Sequence, residues 1–122
     1  MRMLKDIDHV QIAMPPGEEE RARDFYGRIL GLVELEKPEA LRKRGGVWFS
    51  LGARQFHLGV EKEFVPAKKA HPAFLVEDVA RLKGVLEANG CKVISDEPLE
   101  GYDRIYANDP FGNRLEFLRP VG

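Results

Sequence analysis

The chain reads as one unit written twice, and that repeat constrains its fold more than any other feature. Alternating apolar residues and turn signals give the order strand, helix, three strands, and then the same order again, with a period of about half the chain. His9 opens the first copy and His71 opens the second, 62 positions on; His57 lies on the last strand of the first and Glu116 on the last strand of the second, 59 positions on. Each copy predicts a small sheet with a helix on one face and a concave second face. Together they predict an α+β fold, a cup-shaped mixed sheet with its helices outside.

The strands carry the alternation that a half-buried sheet needs. In the strand at 7–14, Val10, Ile12 and Met14 share one face, and His9, Gln11 and Ala13 the other. In the strand at 54–60, Phe56, Leu58 and Val60 oppose Gln55, His57 and Gly59. A further strand at 70–76 places His71 with Ala73 and Leu75. Acidic Glu18, Glu19 and Glu20 suit the start of a first helix, where the dipole favours negative charge; Ala22, Phe25, Tyr26, Ile29 and Leu30 form its stripe and Gly31 its stop. Glu77 and Asp78 begin a second helix striped by Val79, Leu82, Val85 and Leu86 and ended by Asn89-Gly90. Short strands are expected at 32–35, 47–51, 91–95 and 103–107, and loops at 37–46, 61–69 and 96–102. Gly45-Gly46 makes the first of these loops a candidate mobile lid. Near the end, Asp109-Pro110 opens a tight turn and Gly112-Asn113 closes it. The outgoing strand sends Leu115 and Phe117 one way and Arg114, Glu116 and Leu118 the other.

Composition excludes several functions. With 19 basic and 20 acidic residues the net charge is -1, and no basic face is concentrated enough for nucleic acid or a membrane surface. No apolar run approaches the roughly 20 residues of a membrane span, and the first residues lack the apolar stretch of a signal peptide. The single cysteine, Cys91, fits a reducing compartment, so a cytoplasmic protein is expected.

His9, His57, His71 and Glu116 are the candidate metal ligands. The three histidines are all the chain has, and with one strand carboxylate they fall on equivalent places of the repeat. Imidazole and carboxylate suit a divalent ion, Zn, Ni, Mn or Fe, with geometry deciding among them. Gln11, Trp48, Arg104 and Tyr106 are candidate substrate-binding residues on the same faces. A lone histidine on a strand is more often a structural, hydrogen-bonded residue, and Glu116 could pair with Arg104 or Arg114.

Asp8-His9-Val10-Gln11-Ile12-Ala13, Ala22-Arg23-Asp24-Phe25-Tyr26 with Ile29-Leu30-Gly31-Leu32, Phe56-His57-Leu58, Ala70-His71-Pro72-Ala73-Phe74-Leu75-Val76 and Asp109 to Phe117 span nearly the whole chain in order. On these pieces the chain resembles the vicinal oxygen chelate superfamily of glyoxalase I, bleomycin-resistance proteins, extradiol dioxygenases and fosfomycin-resistance transferases. The resemblance implies a single glyoxalase-like domain over 1–122, built from two β-α-β-β-β modules (about 5–61 and 70–120, linked by 62–69). It also implies a homodimer. His9, His71 and Glu116 look like the metal triad of the dioxygenases and fosfomycin enzymes, while His57 falls where glyoxalase I places a glutamate. The resemblance therefore implies a divalent-metal-dependent lyase or isomerase acting on a small oxygenated molecule, with Glu116 or a bound water as the catalytic proton shuttle. A metal-free small-molecule binder of the bleomycin-resistance type is the alternative, and Fe(II) ring cleavage a weaker one.

Overall fold

The computed structural model describes residues 1–95 and 97–122. The structure is mixed α+β and forms two compact units, Met1–Phe64 and Val65–Gly122. Each holds one four-stranded mixed sheet of the same topology. In the first unit, β1 (His9–Met14), β2 (Val33–Leu35), β3 (Val47–Leu51) and β4 (Arg54–Val60) lie in the order β1-β4-β3-β2. In the second, β5 (Ala73–Leu75), β6 (Val93–Ile94), β7 (Tyr102–Asn108) and β8 (Arg114–Pro120) lie in the order β5-β8-β7-β6. The first strand of each unit runs parallel to the last, and the other pairs are antiparallel. The register repeats as well: Gln11 sits opposite His57, and Ala73 opposite Glu116.

Cross-strand pairs show which face each residue takes. Val47 opposes Leu58 and Phe49 opposes Phe56, and all four are buried. Tyr26 packs its ring on both Phe49 and Phe56, at 5.9 and 5.3 Å between centroids, so the first helical segment covers this face. Burying an aromatic or aliphatic side chain of this size contributes roughly 1.5–3 kcal/mol. The opposite face carries His9, Gln11, Trp48 and His57. In the second unit Ile105, Leu115 and Phe117 are buried together with Val79 and Leu86 of α3 (Val79–Ala88), and Phe74 stacks on Phe117 at 5.6 Å. Glu116, Tyr106 and Arg104 take the other face. Asp78 caps α3 by accepting a bond from Arg81 N at 3.0 Å, and Gly90 ends it at φ 76°.

The elements depart from expectation in several places, among them shorter strands at β1 (His9–Met14) and β6 (Val93–Ile94). The first helix begins as α1 (Glu19–Ala22) and continues through Arg23–Ile29 as a wider π-type turn, with Leu30 N donating to Phe25 O at 2.9 Å. β5 starts at Ala73 rather than at residue 70, because Pro72 has no N–H to give the ladder. His71 therefore precedes the strand it was placed on. The 37–46 loop contains a short helix, α2 (Glu39–Arg42), entered through Pro38. The loop expected at 96–102 starts at Asp96, outside the described residues, and β7 already begins at Tyr102.

The proposed lid hinge is a close-packed anchor instead. Gly45 and Gly46 have φ of 74° and 90°. A Cβ on Gly46 would run into the Leu58 carbonyl oxygen. Gly46 N donates to Glu19 Oε2 at 3.0 Å, and Lys37 Nζ donates to Gly45 O. Gly46→Ala is expected to lower stability by roughly 2–3 kcal/mol through backbone strain and this clash, measured by urea denaturation; an unchanged midpoint would contradict it. Among the described residues no helix is long and apolar enough to cross a membrane.

Candidate metal and substrate site

The end of β7, the turn after it and β8 place Glu116. Asp109 is buried, and its Oδ1 accepts from Phe111 N and Asn113 N, both at 2.9 Å. Its Oδ2 accepts from Asn113 Nδ2 at 3.0 Å. Asn113 Oδ1 accepts from Ala67 N at 3.0 Å, and Gly112 turns the chain at φ 91°. The turn thus fixes where β8 starts. A one-residue slip would exchange Glu116 for its apolar neighbours. β8 is also pinned from the other side, where Glu116 N donates to Pro72 O at 3.1 Å.

His71 and Glu116 meet in the second unit. Glu116 is 6% exposed, and its Oε1 lies 2.9 Å from His71 Nε2. His71 Nδ1 lies 2.9 Å from the Lys69 carbonyl oxygen, which can only accept, so Nδ1 carries a proton. Nε2 is then an acceptor facing a carboxylate. A proton carried by either group, or a cation, then sits between them. Two donors on one first-row ion with bonds of about 2.1 Å stand about 3 Å apart when at right angles, so this pair fits one edge of a metal coordination shell. A ring whose second nitrogen is held by a carbonyl is the usual state of a ligating histidine.

Arg104 and Tyr106 complete this cluster. Arg104 Nη1 donates to Tyr106 Oη at 3.0 Å and lies 3.7 Å from Glu116 Oε2; Nη2 donates to Glu97 O at 2.7 Å. Its Nε is buried and has no hydrogen-bond partner among the described residues. The Arg114 guanidinium lies 4.0 Å above the Tyr106 ring, a cation–π contact. Burial, then the nearby Glu116 charge and its hydrogen bond, push the Tyr106 hydroxyl pKa upward, so it stays a protonated donor.

His9 and His57 meet in the first unit, but as stacked rings. Their centroids are 4.5 Å apart at 22°, and Trp48 covers the other face of His57 at 3.9 Å and 3°. His57 is buried and its Nε2 pairs with Gln55 Oε1 at 2.9 Å. Burial, followed by the nearby His9, lowers the His57 pKa. His9 is exposed, with Nδ1 held by Asp8 Oδ2 at 3.0 Å, so it resembles His71 in having Nδ1 anchored and Nε2 left as acceptor. Gln11 lies over Gly59, whose missing Cβ makes room for it: a Cβ there would come within 2.6 Å of the Gln11 amide nitrogen. Among the described residues no group of three or more His, Cys, Asp or Glu side chains is gathered as a metal site.

Sequence reasoning missed the anchors. The Lys69 carbonyl has no sequence signal. Gln55 had one, since residues two apart on a strand share a face, and Asp8 stands next to His9.

A family model described as Glyoxalase/Bleomycin resistance protein/Dioxygenase superfamily matches residues 6–117. The chain belongs to that superfamily. This superfamily likeness extends to individual proteins. A glyoxalase family protein from Bacillus anthracis has a crystal structure that covers 99% of each chain at 48% identity and a TM-score of 0.94. Glyoxylase I 4 of Arabidopsis thaliana is 27% identical over 93% of this chain and 70% of its own length. A lactoylglutathione lyase from Agrobacterium tumefaciens, at 21% identity, shares the fold over 97% of this chain and 96% of its own with a TM-score of 0.74.

Proposed function

We propose that the protein is a divalent-metal-dependent, glyoxalase-like lyase or isomerase acting on a small oxygenated molecule. The supporting observation is the 2.9 Å contact between the acceptor nitrogen of His71 and the buried Glu116 carboxylate, with Nδ1 tied to a backbone carbonyl. We take His71 and Glu116 as the donors of the second unit, and His9 as the further donor that the superfamily resemblance implies. His9 repeats the state of His71, with one nitrogen anchored and the other presented. His57 has Nε2 committed to Gln55 and both faces covered, which favours a supporting role under His9. Superfamily membership adds weight to the reaction class. The homodimer belongs to the same proposal.

A bound ion would act as a Lewis acid on adjacent substrate oxygens. The rest falls to the chain itself. Glu116 is the one anionic group at the pair and is the base that takes and returns a substrate proton. Its burial keeps water from competing for that proton. Arg104 and the protonated Tyr106 hydroxyl stand beside it to hold developing negative charge, the usual source of a large part of such rate enhancement.

Purified protein supplied with micromolar Zn, Ni, Mn or Fe(II) and then dialysed is expected to retain about one ion per chain by elemental analysis, and His71→Ala to lose it. Retention of none, or unchanged retention in His71→Ala, would overturn the proposal.

A further inference from the structure

The first unit holds a cavity of about 260 Å³ whose lining combines two cations with an aromatic wall. Lys37 and Arg44 line it, with Gln11 of β1, Trp48 of β3, Leu41 of α2 and Val60 of β4. The charged side chains of this lining are both basic, and Glu19, whose charge acts on Lys37, has Oε2 engaged by Gly46 N. Lys37 is held at the wall by its bond to Gly45 O. Arg44 makes no ion pair among the described residues. Burial pushes the Lys37 pKa down, opposed by the nearby Glu19 charge and aided to a smaller extent by like-charge repulsion from Arg44. Two cations on the wall, with no carboxylate in the lining itself, favour a negatively charged guest. An arginine fork suits a carboxylate in particular.

The remaining lining limits the guest's body. Trp48 offers an aromatic surface and Leu41 and Val60 an aliphatic one, while Gln11 is the uncharged polar side chain of the lining. The volume lies just below the roughly 300 Å³ at which pockets for drug-sized ligands begin, so the guest is small. Trp48 and Gln11 each stand opposite His57 in the sheet register, so the cavity adjoins the face carrying His9 and His57.

We propose that this cavity binds a small carboxylate with a flat apolar body, its carboxylate between Lys37 and Arg44 and its body against Trp48. This deepens the proposed function by giving the substrate class. It rests on that reading only in taking the guest as a substrate, because the binding itself needs no metal.

Trp48 is the chain's one tryptophan, so intrinsic fluorescence reports on the cavity wall directly. The full chain, stripped of metal with chelator, is titrated with benzoate, with neutral benzamide and with inorganic phosphate. Benzoate is expected to give a saturable change with an affinity at least about tenfold above both others, the size of effect a charge-assisted fork provides. Arg44→Gln, at an exposed position, is expected to weaken benzoate by about tenfold or more, and Lys37→Arg, which keeps the bond to Gly45, to stay within about threefold. His71→Ala is expected to bind benzoate as the parent does, which separates this proposal from the metal one. Benzamide or phosphate binding as tightly as benzoate would overturn the proposal. So would an unaltered affinity in Arg44→Gln, or no benzoate binding by fluorescence and calorimetry.

Discussion

Glu116→Gln is expected to abolish tight divalent-metal binding while leaving the protein folded. The substitution removes the negative charge and keeps the shape. It also keeps the local contact, because a glutamine amide can donate to or accept from His71 Nε2, which lies 2.9 Å from Oε1. The 8% exposure of the Glu116 side chain leaves little room for water to replace the lost donor. Loss of an outer-shell partner alone costs about 10–100-fold in metal affinity, so losing the anionic ligand should cost at least about 100-fold. Calorimetric titration with Zn or Ni measures this, and thermal unfolding in chelator serves as the control. Equal affinity in the variant would remove Glu116 from the ligand set and with it the proposed base.

Asp109→Ala should be the most destabilising of the variants considered. It leaves Phe111 N, Asn113 N and the Asn113 amide without their acceptor in a buried turn. A buried donor left unsatisfied costs about 1–3 kcal/mol, and three together should lower stability by roughly 3 kcal/mol or more. Urea unfolding would detect it, and a loss below about 1 kcal/mol would mean that the turn is held by its backbone bonds alone. The effect should also reach Glu116, since the same turn sets the start of β8. Residual metal affinity in the folded fraction should fall too. Asp109→Asn, which keeps an acceptor oxygen, should recover part of both losses.

The repeat made much of this fold legible in advance. Alternation at Phe56, His57 and Leu58 assigned the faces correctly because a sheet with one packed face enforces period two. The matching spacing of His9 with His71 and of His57 with Glu116 pointed to one register used twice, and both sheets have it. The start of β5 was readable too, had the missing N–H of Pro72 been weighed. The short helix at Glu39–Arg42 was hidden by the charges and the Gly45-Gly46 pair around it, although Pro38 and Glu39 are ordinary helix-start residues. The wide turn through Arg23–Ile29 leaves no comparable periodic mark. At the candidate site, residue types were legible but ring orientation was not. Whether an imidazole presents a lone pair or a flat face depends on a carbonyl at Lys69 or an indole at Trp48, and neither is a property of the histidine's own neighbours on the strand.

The shared register also bears on how such a chain can change. Gln11 opposes His57 as Ala73 opposes Glu116, so the backbone offers the same pair of facing positions in each half and leaves the occupant to a single codon. A carboxylate could move to position 57, or an imidazole to 116, without inserting a residue or shifting a strand. A lineage built on this scaffold can therefore exchange its chemistry by point mutation in one half while the other half preserves the working arrangement.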